Sequence, residues 1–113
     1  MEIYDLIYIV IVHFLFDWIL QPRWVAAEKT ENLKTALLHG LLVSAPLFVI
    51  FSLPYLLLYG LLHGLQDRYL YNVLNKLWNT GDKERDLVNH VAIDQTIHFL
   101  ILILLYNNQN LTW

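Results

Sequence analysis

The sequence predicts an all-α protein, a four-helix up-down-up-down bundle crossing a membrane, with both chain ends on the non-cytoplasmic side. Three observations lead there. Of the 113 residues, 58% are hydrophobic and the mean hydropathy is +0.46, more apolar surface than a soluble domain of this length can bury. Charged residues make up 15% of the chain and concentrate between Arg23 and Arg85, leaving apolar stretches of spanning length. Finally, all seven basic residues (Arg23, Lys29, Lys34, Arg68, Lys76, Lys83 and Arg85) fall in or beside the first and third connections. The positive-inside rule turns those connections toward the cytoplasm.

The elements follow in order within one integral membrane domain, residues 1–113. The first helix is predicted over about 4–20 and is closed by Gln21-Pro22, because proline disfavours helical geometry at the residue before it. Glu2 and Asp5 stand where a signal peptide would carry basic residues, so this segment reads as a retained helix. A second helix over 33–52 carries Pro46 as an expected kink, and Pro54 breaks the chain before a third helix over 55–78. The polar turn Asn79-Thr80-Gly81-Asp82 precedes a fourth helix over 86–106, with Asp86 as its expected N-cap. Trp18, Trp24, Trp78 and Trp113 all fall near predicted helix ends, as an interfacial aromatic belt requires. A net charge of −3 argues against a nucleic-acid partner. The absence of cysteine excludes disulfides and thiolate metal sites.

Against this apolar background, four of the five histidines stand four residues from an aspartate: His13 with Asp17, His63 with Asp67, and His90 and His98 on either side of Asp94. That spacing places both side chains on one helix face. Ionisable residues inside apolar spans are costly enough to point to function. In the expected topology these residues share the cytoplasmic half of the bundle with His39. At about 1.5 Å per residue, His39, His63 and His90 lie roughly 7 Å from the nearest flanking basic residue. The expectation is a polar pocket opening inward, since a water-accessible cavity is where such groups are tolerated.

Five imidazoles and three carboxylates suit one or two divalent transition ions such as zinc, manganese or iron(II). The candidate ligands are His13, Asp17, His39, His63, Asp67, His90, Asp94 and His98. Eight exceed the needs of one ion, so some act as outer partners or bases, or two ions share the site. Gln21, Gln95 and Lys29 are expected to orient ligands or bind substrate. Helix-to-helix hydrogen bonding is the competing account of such polar groups, and it weighs most on His39, which has no aspartate at that spacing.

The ordered set His13-x-x-x-Asp17, Leu20-Gln21, Lys29, His39, His63-x-x-x-Asp67 and Asp94-Gln95-x-x-His98 resembles the domain of unknown function 3307 family, small polytopic membrane proteins of bacteria and phages. The likeness runs from His13 to His98. It implies a bacterial inner-membrane or phage-encoded multi-pass protein, with no reaction attached. In that family a lysine is expected soon after the third helix's aspartate, whereas here Arg68 follows directly and Lys76 comes later. The pattern is similar, more loosely, to membrane-bound metal-dependent hydrolases. The first functional expectation is therefore a metal-dependent hydrolase acting at the cytoplasmic leaflet on a lipid-linked or membrane-proximal ester or phosphoester. In it Asp17 or Asp67 serves as base and Arg68 neutralises developing charge. The alternatives are a metal-binding or proton-relay membrane component, homo-oligomeric or an accessory to a larger complex, and a plain membrane scaffold.

Overall fold

The structure, a computed structural model, describes residues 2–109. All its regular elements are helical. Helix α1 covers Ile3–Phe14, an apolar run interrupted only by Asp5 in its first turn and His13 in its last. It does not continue regularly to residue 20. From Leu15 to Ile19 the backbone widens into a π-helical turn, a local irregularity that frequently accompanies functional positions. The turn contains buried Asp17. Pro22 then flanks a short helix, α2, over Arg23–Glu28, within the expected first connection.

Helix α3, Leu33–Ser44, is capped by Asn32, whose side chain accepts from the backbone N–H groups of Lys34 and Thr35 at 3.0 and 3.3 Å. The kink expected at Pro46 is a change of helix type, α3 passing into a 3-10 segment over Ala45–Val49. Proline has no N–H to give to the α-helical ladder. Helix α4, Leu53–Leu77, starts with Pro54 in its first turn, where that missing donor costs nothing. Helix α5 covers Lys83–Asn108. Its cap is Asp82, accepting from Glu84 N and Arg85 N, and this corrects the expectation for Asp86. Asp86 instead accepts from Thr80 N at 3.0 Å and Thr80 Oγ1 at 2.6 Å, folding the Asn79–Asp82 turn back onto the helix.

Among the described residues, α5 alone is long and apolar enough to cross a bilayer, judged by length and composition. The stretch Leu33–Val49 is apolar but shorter. The π turn, Pro46 and the polar positions of α4 divide or dilute the other expected spans. Outward faces of all the long helices are nevertheless oily, with Ile7, Ile11, Leu42, Leu57, Leu61 and Leu104 exposed. The expected belt position of Trp113 lies outside the described residues.

The interior has two unlike halves. Toward the start of α1 and the end of α5, Ile9, Val12, Val43, Leu47, Phe51, Leu56, Tyr59 and Leu102 form one apolar cluster. Polar contacts stitch this end shut: Tyr8 donates to the Pro46 carbonyl, Tyr106 to Asp5, and Gln109 Nε2 to the Ile50 carbonyl at 2.7 Å. The other half buries His13, Asp17, His39, His63, Asp67 and His98. Helices α3 and α4 meet through glycines. A Cβ on Gly40 would overlap the Gly60 carbonyl and lie 2.8 Å from Gly64 N, and one on Gly64 would lie 2.8 Å from the Ala36 carbonyl oxygen. Small residues at such positions let two backbones approach closely, and here each flanks a site histidine, His39 before Gly40 and His63 before Gly64.

Candidate metal centre

Five elements supply the polar half. The end of α1 gives His13 and the π turn gives Asp17, while α3 gives His39, α4 gives Tyr59, His63, Gln66 and Asp67, and α5 gives Asp94, Gln95 and His98. Their ligand-capable atoms gather into two groups. Asp17, His39, His63 and Asp67 each offer an atom within 4.8 Å of the others, and so do Asp67, Asp94 and His98. Asp67 belongs to both.

In the first group, His39 Nε2 lies 2.7 Å from Asp17 Oδ1 and 3.6 Å from Asp67 Oδ2, while His63 Nε2 lies 3.5 and 3.1 Å from the same two oxygens. Four ligands at roughly 2.0–2.1 Å around a tetrahedral ion stand about 3.3 Å apart, so these edges bracket the required size. The shortest, His39 to Asp17, is a hydrogen bond that a cation would stretch. In the second group, His98 Nε2 is 3.4 Å from Asp67 Oδ1 and 3.3 Å from Asp94 Oδ2. Asp67 thus turns one oxygen to each group. The rings of His63 and His98 stack with centroids 4.0 Å apart.

Proton positions can be followed from the carboxylates inward. Gln95 directs its NH2 group at Asp17 Oδ2, 3.3 Å away, and Asp94 Oδ2, 3.2 Å away, so its Oε1 is the acceptor for His13 Nε2 at 2.6 Å. A neutral His13 protonated at Nε2 leaves Nδ1 bare to accept from the Tyr59 hydroxyl at 3.4 Å. That hydroxyl in turn accepts from His63 Nδ1 at 3.1 Å. Nε2 of His63 is then a lone pair when the ring is neutral and a second N–H when it is charged. It is buried, faces Asp67 Oδ2 at 3.1 Å, and neither atom has a hydrogen-bond partner among the described residues; His98 Nε2 is equally unpartnered. With the ring neutral, two acceptors turned toward each other in a low-polarity interior repel unless a proton or a metal cation lies between them. The donor set therefore fits a divalent cation of the mixed nitrogen and oxygen type.

This chain of bonds commits His13 Nε2 to Gln95 and leaves His13 outside both ligand-capable groups. Tyr59 fixes which ring nitrogen of His63 faces the carboxylates. Accordingly, Tyr59→Phe is expected to weaken metal binding about 10–100-fold, the range for loss of an outer-shell partner, with helicity unchanged; competition against a metal-sensitive dye measures the first and circular dichroism the second.

A half-open cleft of about 430 Å³ reaches these groups, lined by Asp17, Lys29, Asp67, Asp94 and Gln95 with Trp18, Tyr71, Leu87 and Val91 as apolar wall. Gln21 lines it too, and its Oε1 is buried without a partner. Lys29 Nζ stands 3.8 Å from both Asp17 Oδ1 and Asp67 Oδ2. Gln66 holds Asp94, donating to its Oδ1 at 3.0 Å and its backbone carbonyl at 2.7 Å.

The family profile for a protein of unknown function, DUF3307, matches residues 6–113. The chain belongs to this family. No curated protein and no solved structure gives a match. Two expected site residues of this DUF3307 chain stand apart from the centre. His90 donates from Nε2 to the Trp78 carbonyl at 2.8 Å and packs edge-on to Tyr71, which ties α5 to the end of α4 and removes it from the ligand set. Arg68 donates to the Thr30 carbonyl at 3.0 Å and lies over the Tyr69 ring at 4.8 Å. It braces the loop after α2 and does not line the cleft. Asp17 and Asp67, expected as bases, fall among the ligand-capable atoms. Sequence reasoning passed over Gln66, although it adjoins Asp67 as Gln95 adjoins Asp94, and that shared pairing was the available signal.

Proposed function

We propose that this DUF3307 chain is a metal-dependent hydrolase embedded in the bacterial inner membrane, with its His/Asp centre opening toward the cytoplasmic leaflet. The observation that carries this reading is the convergence of Asp17, His39, His63 and Asp67 on one buried point and of Asp67, Asp94 and His98 on a second, with His63 Nε2, Asp67 Oδ2 and His98 Nε2 lacking hydrogen-bond partners among the described residues. In this reading Asp17, His39, His63 and Asp67 hold one zinc, manganese or iron(II) ion, and Asp67, Asp94 and His98 hold a second. A bound divalent ion acidifies water and polarises an ester or phosphoester oxygen. The chain's own groups do the rest: Gln95 and Gln66 orient the carboxylates, Tyr59 and His13 fix His63, and the cleft admits substrate and water.

Membrane residence is supported by α5, which has spanning length and composition, and by the oily outward faces of the remaining long helices. The cleft is lined by Lys29, one of the basic residues of the first connection that orient the chain. Confinement of the polar groups to one half, with an apolar core filling the other, favours a one-sided pocket over a relay crossing the membrane.

Elemental analysis of protein purified in mild detergent after metal-replete expression is expected to find one to two divalent ions per chain. Less than one ion per chain overturns the proposal. Because imidazole and carboxylate must be deprotonated to bind, occupancy is expected to fall as pH drops below the ordinary histidine range near about 6.5.

A further inference from the structure

The reactive group this centre accepts can be narrowed by charge. Resting on the hydrolase reading above, we propose that the substrate is a phosphate monoester carried by an amphiphile, its phosphate held between the paired cation sites and Lys29 and its hydrocarbon laid along the apolar wall of the cleft. Asp17, Asp67 and Asp94 contribute three negative charges, and Lys29 contributes one positive. Two divalent ions bring the total to +2, an excess that draws an anionic ligand into the cleft. A carboxylic ester brings no charge to offset it. A phosphate monoester carries about −1.5 to −2 near neutral pH and closes the balance.

Lys29 supplies the second argument. Its ammonium sits 3.8 Å from two oxygens of the four-residue group, its side chain is 18% exposed, and it lines the cleft. A cation among those four ligand atoms repels the ammonium toward the cleft, where a phosphate oxygen is its natural partner. The rings of Trp18 and Tyr71 with Leu87 and Val91 form a largely apolar wall against which a chain of methylenes can lie. In the reaction, water oxygen bonds to phosphorus as the phosphorus–alkoxy bond breaks and its electron pair leaves on the alkoxy oxygen. One water proton ends on that oxygen and the other stays on phosphate, giving an alcohol and inorganic phosphate.

The test uses the full chain, loaded with manganese, in phosphatidylcholine nanodiscs doped with phosphatidic acid, and reads inorganic phosphate release. Parallel arms present p-nitrophenyl phosphate in solution and a long-chain carboxylic ester in the same nanodiscs. The expected result is metal-dependent phosphate release from phosphatidic acid, with kcat/KM at least about 10-fold above that for the soluble phosphate, and no ester cleavage. Lys29→Met is expected to lower kcat/KM for phosphatidic acid on the order of 10–100-fold, with partial recovery in Lys29→Arg and unchanged metal content. Equal turnover of the soluble phosphate overturns the amphiphile assignment. Ester cleavage without phosphate release, in protein that retains its metal, overturns the phosphate assignment and leaves the hydrolase reading standing. Protein that holds no metal overturns both.

Discussion

Asp67→Asn is expected to strip the centre of both ions, whereas Asp94→Asn removes one. Asp67 turns Oδ2 toward His39 and His63 and Oδ1 toward His98, so it is the one carboxylate shared by the two groups. An amide at that position presents one weak acceptor and one N–H pair, and the N–H side repels whatever cation it faces. Loss of an outer partner already costs 10–100-fold in affinity, so the loss of a shared ligand is expected to cost at least about 100-fold at each site. Asp94 belongs to the second group alone. Elemental analysis of the two variants beside the parent protein should read near zero, one and two ions per chain. Equal loss in both variants would mean a single centre, and the second ion would have to be abandoned. Both substitutions conserve volume, and circular dichroism checks that the helices persist.

Gly40→Val is expected to be the most damaging single change away from the ligands. The first added carbon already overlaps the Gly60 carbonyl, and the neighbours on that side are backbone atoms of Gly60 and Gly64 that cannot rotate aside. Overpacking of this kind typically costs 1–3 kcal/mol, and about 3 kcal/mol or more is expected where backbone blocks relief. Separation of α3 from α4 also moves His39 away from His63, so metal binding and thermal stability should fall together. Leu42→Val serves as the contrast: it stands two residues away with an exposed side chain, and neither quantity should move appreciably. Thermal unfolding in detergent, followed by circular dichroism with and without added zinc, measures both. A Gly40→Val protein that melts and binds like the parent would show that this close approach does not position the histidines.

Much of the site could be read before any coordinates, because the i, i+4 rule operates within one helix and needs no tertiary information. His13 with Asp17, His63 with Asp67 and Asp94 with His98 all come together at 3.1–3.4 Å. His39, which has no partner on its own helix, reaches Asp17 across α3 and the π turn, and only the packing of separate elements could reveal that. His90 meets the same spacing rule toward Asp94 and is as buried as the site histidines, yet it sits about one turn nearer the start of α5, level with the end of α4, where it bonds to the Trp78 carbonyl instead. The helices themselves were legible from apolar runs and proline breaks. The π turn and α2 were not: the first changes hydrogen-bond register without a proline or glycine to mark it, and the second is six residues long. Gly60 and Gly64 stood in plain sight at the four-residue interval that lets helices touch closely, but their partner Gly40 lies on another helix.

The division of the interior into an oily half and a polar half bears on how the finished protein is assembled. The stitched apolar end, with Tyr8, Tyr106 and Gln109 closing it, holds no prospective metal ligand. On the proposed reading it can form as soon as the helices meet, and cations would then enter last through the cleft, as cargo loaded into a standing frame. Chelation should then empty the frame without collapsing it, and resupply should restore it without a chaperone.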